Sequence, residues 1–297
     1  MSLLRSVHEE VMGKLSQVGV AARHAVENVL AGQHRSIQRG LSVEFAGHRP
    51  YQPGDDPRHI DWQVYARSDR LDIRQYEEET RLRATLVVDY SASMAYGDGR
   101  KLHRARMLAA ALATLMVRQG DSVGLALVDT GVRQHLPPAS TMPHLLTLLS
   151  QLETHDPGGE TALADALQAL APRLRRRGLV ILISDCIDDN IPLIQSLRLL
   201  HHRRQDIRVF QVLDHDEHAF PFSGSCRFVG LEGDGELVLD ADRVRERYQA
   251  TVAAQGEELA AGCYGMGATY DICRSDDDLA QVLVRALSRI GGPGGRR

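Results

Sequence analysis

Ala84-Thr-Leu-Val-Val88, running into Asp89-Tyr90-Ser91-Ala92-Ser93, is the stretch from which the architecture of this chain reads. The first five residues form a short β-prone run, and Lys101 to Arg118 then has the apolar density of a helix. Ser122 to Val128 reads as a second strand with a hairpin partner at 132–136. Helices are expected at 143–152 and 161–176, with Pro172 inside the second. Leu179-Val-Ile-Leu-Ile183 is a buried strand ending in Ser184-Asp185. Helix 191–203, strand 207–213, helix 241–261, strand 268–273 and helix 277–290 follow. Strands separated by helices imply a mostly parallel sheet covered on both faces.

Upstream of this α/β region, taken as 81–291, the chain changes character twice. Residues 1–31 read as an amphipathic helix, with Leu4, Val7, Val11, Leu15, Val18, Ala22, Val26 and Val29 on one stripe. Residues 32–80 contain Pro50, Pro53 and Pro57 and the short alternating segments 41–45 and 71–76, describing a small irregular β lobe with little helix. The Gly- and Arg-rich end, 292–297, is a flexible tail.

Composition excludes several classes. The 35 basic and 39 acidic residues of the 297 leave a formal charge of −4, against a generic nucleic-acid binder. All but two of the basic residues, Lys14 and Lys101, are arginines. Aromatics make up 5% of the chain, so the core must be aliphatic. The longest apolar stretch, Leu108 to Val117, is far below the roughly 20 residues of a membrane span. The N-terminus lacks the pattern of a signal peptide. Cys186, Cys226, Cys263 and Cys273 include no Cys-x-x-Cys pair, consistent with free thiols in a cytoplasmic protein.

Ligands of open parallel sheets gather at the carboxyl ends of strands. Asp89 lies at such an end, with Ser91 and Ser93 on the loop that follows; in an extended loop alternate side chains point the same way. Asp185 ends the second buried strand, and Gly158-Gly159-Glu160-Thr161 supplies a flexible loop and a further hydroxyl. Together these oxygens suit a hard divalent cation, Mg2+ or else Mn2+ or Ca2+, which takes six oxygens and retains water. Ser91, Ser93 and Thr161 would hold it, with Asp89 and Asp185 bound directly or through water. Neutral hydroxyls leave residual positive charge, which an acidic residue of a protein partner would satisfy.

Asp89-x-Ser91-x-Ser93, Thr161 and Asp185 resemble the metal-ion-dependent adhesion site of von Willebrand factor A domains. Gly40-Leu-Ser-Val-Glu-Phe45, Arg49-Pro-Tyr-Gln-Pro-Gly-Asp-Asp-Pro-Arg-His-Ile-Asp-Trp62 and Phe220-Pro-Phe-Ser-Gly224 are similar to the soluble form of the bacterial domain of unknown function 58 family. The resemblance spans roughly residues 32–290. It implies a Rossmann-like A-domain with a mostly parallel central sheet flanked by helices. It also implies an adaptor or chaperone-like role beside a MoxR-type AAA+ ATPase, in maturing or remodelling another protein. Glu160 and Cys186 depart from the pattern: many A-domains place Thr directly after the glycines, and a glycine often follows the final Asp.

The remaining features read more plainly. Asp55, Asp56, Arg58, Asp61, Trp62 and Arg67 suit either a structural interface of the lobe or a partner surface. Asp188 and Asp189 read as solvated loop acids, and Asp214-His-Asp-Glu-His218 as a polar loop rather than a zinc site. A Mg-dependent phosphohydrolase using Asp89, and a metal-free structural scaffold, are the alternatives. Against catalysis, no nucleophile elbow, Walker loop or His-Glu-x-x-His motif is present.

Overall fold

The computed structural model describes residues 43–52, 55, 60–68, 70–78, 82–187, 189–233, 235–279 and 281–283. The expected N-terminal helix, Asp56, Arg58, Asp188 and the tail lie outside the described residues. The chain divides into one unit within Ala31–Arg81 and another from Leu82 onward.

In the first unit, β1 (Val43–Pro50) pairs antiparallel with β2 (Asp72–Glu78), with a register shift between Phe45 and Gly47. The strands are longer than the alternating segments that announce them. Between them α1 (Trp62–Ser68) forms where the sequence suggested little helix. Its start is capped by Asp61, whose Oδ1 accepts the Val64 N–H at 3.3 Å, the local bond that makes Asp a helix starter. Ile60 bridges Ile73 and both are buried.

The second unit is built on six strands: β3 (Arg83–Asp89), β4 (Ser122–Val128), β5 (Val132–Ala139), β6 (Leu179–Ser184), β7 (Asp206–Leu213) and β10 (Thr269–Arg274). Their order is β10-β7-β6-β3-β4-β5, parallel except for the edge strand β5. From β3 the chain moves outward to β4 and β5, then crosses back to place β6 on the other side. β3 and β6 therefore flank the switch point, where the crevice for a ligand opens.

Helices cover both faces. α2 (Arg100–Arg118) and α3 (Met142–Thr154) pack with Leu86, Val88, Ile181 and Ile183; α4 (Leu163–Leu170), α5 (Asn190–His202) and α7 (Ala241–Gly265) pack with Val87, Val180 and Leu182. Successive residues of β3 and β6 thus face opposite layers, as the period-two geometry of a strand demands. The buried alanines 105, 109, 110, 111 and 113 give α2 a smooth surface. The core is aliphatic, as the scarcity of aromatics required.

Three segments of the second unit outside the candidate site differ from expectation. The helix expected over 161–176 ends at Leu170 and continues only as a 3₁₀ turn, Ala171–Arg173, because Pro172 has no N–H to donate and crowds the preceding turn. The polar loop expected at 214–218 is α6 (His215–Ala219), started by a capping box in which Asp214 and Glu217 satisfy each other's backbone N–H. A hairpin of β8 (Ser225–Val229) and β9 (Glu236–Asp240) interrupts the alternation. Among the described residues, no helix is long and apolar enough to cross a membrane.

Candidate metal centre

Three loops meet at the carboxyl ends of β3 and β6. The first follows β3. Ser91 remains extended, but Ala92–Ala95 coils into a 3₁₀ turn rather than the extended loop expected from sequence. The two hydroxyls still meet: Ser91 Oγ and Ser93 Oγ are 3.0 Å apart. The second loop is pinned against the first, since Gly158 N–H donates to Tyr90 O at 2.9 Å and Ala92 N–H donates to Gly159 O at 3.0 Å. Gly159 makes this turn at φ +84°, a conformation costly for a residue with a Cβ. The loop then runs on to Thr161, with Glu160 exposed to solvent.

The third loop follows β6. Ser184 Oγ donates to Asp89 Oδ2 at 2.6 Å, joining the two strand ends directly. Asp89 Oδ1 accepts the Ser91 N–H at 2.8 Å, and Asp185 Oδ1 accepts the Ile187 N–H at 3.2 Å. Cys186 sits at φ +52°, which explains why a glycine suits this position. Burial pushes the Cys186 thiol well above its ordinary pKa, so it is an inert hydrophobe here.

Asp89, Ser91, Ser184 and Asp185 are almost completely buried. Burial, and then the neighbouring Asp185 charge, push the Asp89 carboxyl up to about 6, while Ser184 and Ser91 hold it down. Two buried acids side by side call for positive charge, and the protein places a lysine there. Lys101 Nζ contacts Asp185 Oδ2 at 2.7 Å and Glu217 Oε1 at 2.8 Å. Burial opposes its charge, yet the two carboxylates outweigh that effect and keep the ammonium above its ordinary pKa. A further acid arrives from the β8–β9 turn: Glu232 accepts the Thr161 hydroxyl on Oε1 and the Thr161 N–H on Oε2 at 3.1 Å.

The five residues expected to form the site therefore lie on three loops joined by hydrogen bonds. Their donor chemistry fits a hard cation: two serine hydroxyls in contact, a threonine hydroxyl and two buried carboxylates. Among the described residues no group of three or more His, Cys, Asp or Glu gathers as a metal cluster. Lys101, Glu217 and Glu232 were not expected from the sequence. Lys101 carried a signal as one of two lysines in an arginine-rich chain, and Glu217 as the last residue of an Asp-x-x-Glu capping pattern.

Elsewhere, Asp55 Oδ2 accepts the Gln52 N–H at 2.9 Å, and Trp62 is 60% exposed, edge-on to Tyr65. Arg67 is exposed in the last turn of α1. Asp189 caps α5 by accepting the Ile191 N–H at 3.0 Å.

A mostly parallel sheet flanked by helices, with serines and acids on the loops at the switch point, defines an open α/β protein with its candidate site at the carboxyl ends of the strands. The chain belongs to the family described as "Protein of unknown function DUF58", which matches residues 47–258. An uncharacterized protein of Mycobacterium tuberculosis is 29% identical to it over 280 residues, 92% of this chain and 88% of that one. Among solved structures, the conserved hypothetical protein BatB from Bacteroides thetaiotaomicron is 16% identical, with a TM-score of 0.49 over 70% of this chain and 98% of its own. The SpRpn10 VWA domain is 13% identical, with a TM-score of 0.41 over 73% and 98%.

Proposed function

We propose that this protein is a metal-dependent docking adaptor, and not an enzyme, that presents a bound divalent cation to an acidic residue of a partner. Mg2+ is the expected ion, with Mn2+ or Ca2+ able to substitute. The observation that carries this reading is the pinning of loops 89–93 and 158–161 together, with Ser184 tying Asp89 to the end of β6. Ser91, Ser93 and Thr161 would hold the ion, with Asp89 and Asp185 supplying negative charge directly or through water. When bound, the ion supplies a Lewis-acidic position that attracts a carboxylate. Both Asp89 oxygens already accept hydrogen bonds, which suits a ligand or water-positioning role better than a phosphoryl-accepting nucleophile. By family resemblance, the partner is a MoxR-type AAA+ ATPase, with the adaptor acting in the maturation or remodelling of another protein.

Calorimetric titration with Mg2+ or Mn2+ tests the metal: wild type should give binding heat that Asp89→Ala loses, and equal heats would sink the reading. Metal-dependent retention of the ATPase, lost with Ser93→Ala or Thr161→Ala, tests the partner. Retention unaffected by either substitution would favour the metal-free scaffold.

A further inference from the structure

Among the described residues, few contacts hold the outer end of the β8–β9 hairpin. Its base is anchored: Phe228 stacks on Phe220 at 5.8 Å, and Gly224 N–H donates to Asp242 at 2.8 Å. Further out, Val229, Leu231, Leu237 and Val238 are exposed, and Gly230 N–H closes the turn on Gly235 O at 2.8 Å. Glu232, by contrast, is half-buried, reaching 71 residues back along the chain to grip Thr161 with both carboxylate oxygens.

Thr161 gives Glu232 its hydroxyl proton and its N–H. The lone pairs of Thr161 Oγ1 remain available to a hard cation, so the grip leaves room for an ion. A carboxylate bound there is the chemistry expected of a docking partner. We propose that Glu232 is an in-chain acidic ligand of the metal centre, which latches the hairpin over the site and must be displaced when a partner's carboxylate docks. The inference rests on the metal-dependent reading above and adds a residue and an occupant to it.

Glu232→Gln tests it, because the amide keeps the size of the side chain and the turn around it is exposed. Mn2+ alone is the probe, with affinity read from water-proton relaxation and hairpin closure from amide hydrogen exchange over residues 225–240. The variant should keep the wild-type thermal midpoint in the absence of metal, bind Mn2+ about tenfold more weakly, and exchange its hairpin amides about tenfold faster, as expected for loss of a charged contact. Either quantity matching wild type overturns the proposal. Asp89→Ala separates the two ideas. If wild type binds Mn2+, Asp89→Ala does not and Glu232→Gln equals wild type, only the in-chain ligand fails. If wild type itself binds no Mn2+, the docking reading fails and this inference with it.

Discussion

Lys101 Nζ lies 2.7 Å from Asp185 Oδ2, and neither side chain is exposed to solvent. The pair joins the first turn of α2 to the carboxyl end of β6, beneath the loops of the candidate metal centre. Glu217, the capping-box residue of α6, accepts from the same ammonium at 2.8 Å. A compact ammonium with three donors suits this position better than the broad, planar guanidinium used at nearly every other basic site of the chain.

Removal of that charge leaves Asp185 and Glu217 facing each other without compensation. Lys101→Met should destabilise the protein by about 3–5 kcal/mol, the cost typical of an orphaned partner in a buried ion pair. Lys101→Arg should recover only part of it, because the larger group must fit the same dry space. Urea unfolding of both variants provides the check. Wild-type stability in Lys101→Met would mean that water reaches the pair.

The α/β alternation was legible because buried strands and apolar helices carry their own periodicity. The placement of Asp89 and Asp185 at the ends of neighbouring strands was legible because each follows a short, strongly apolar β-prone run. Lys101 was not legible, although its identity was unusual, because a basic residue at a helix start is ordinarily solvated. Glu232 was hidden altogether: nothing local to Gly230-Leu-Glu-Gly-Asp-Gly235 fixes where a hairpin turn lands, and only the tertiary fold brings it to Thr161. Pro172 was visible, but its power to end α4 was underestimated, since a helix tolerates proline only in its first turn. The capping box at Asp214 and Glu217 was overlooked behind the more conspicuous histidines.

Metal removal should weaken this domain without unfolding it. With a dissociation constant near 0.1 mM and about 1 mM free Mg2+, linkage supplies roughly 1.4 kcal/mol. That corresponds to about 3–6 °C in thermal midpoint for a domain of this size. Chelation should therefore lower the wild-type midpoint by this amount and leave Asp89→Ala unchanged, as read by calorimetric melting. Complete unfolding on chelation would make the ion structural.

Asp121 supplies a pH dependence remote from the metal centre. Its Oδ1 accepts the Leu82 N–H at 2.8 Å, while among the described residues its buried Oδ2 finds no partner. Burial pushes this carboxyl from 3.8 up to about 6, with the Leu82 bond opposing the rise. An acid whose pKa is higher folded than unfolded favours folding in its protonated form. Its stabilisation is complete below about pH 4 and is lost as pH rises through about 6. Asp121→Asn removes this titration, so its stability relative to wild type should be higher at pH 7.5 than at pH 4.5. The difference should be on the order of 1–3 kcal/mol, because a tenfold change in an acid's dissociation constant corresponds to about 1.4 kcal/mol. Paired urea melts at the two pH values decide it, and a difference independent of pH would mean that Asp121 titrates normally.

Gly124 marks the closest approach of β5 to the sheet. A Cβ at this position would lie 2.6 Å from Leu136 O and 2.9 Å from Pro138 N. The β4–β5 register shifts between Val123 and Leu125, and β5 carries Pro137 and Pro138, which cannot donate to the ladder. The edge strand is therefore held over Gly124 by close passage of its backbone as well as by ladder bonds. Gly124→Ala must push backbone rather than the end of a flexible side chain, and should cost about 1–3 kcal/mol. Gly265→Ala, in the last turn of α7 with nothing within 4 Å of the added carbon, is the control and should be neutral or slightly stabilising. Urea midpoints of the two variants test the contrast: equal stabilities would mean that β5 swings outward at no cost, and that the sheet edge is looser than its close approach to Gly124 implies.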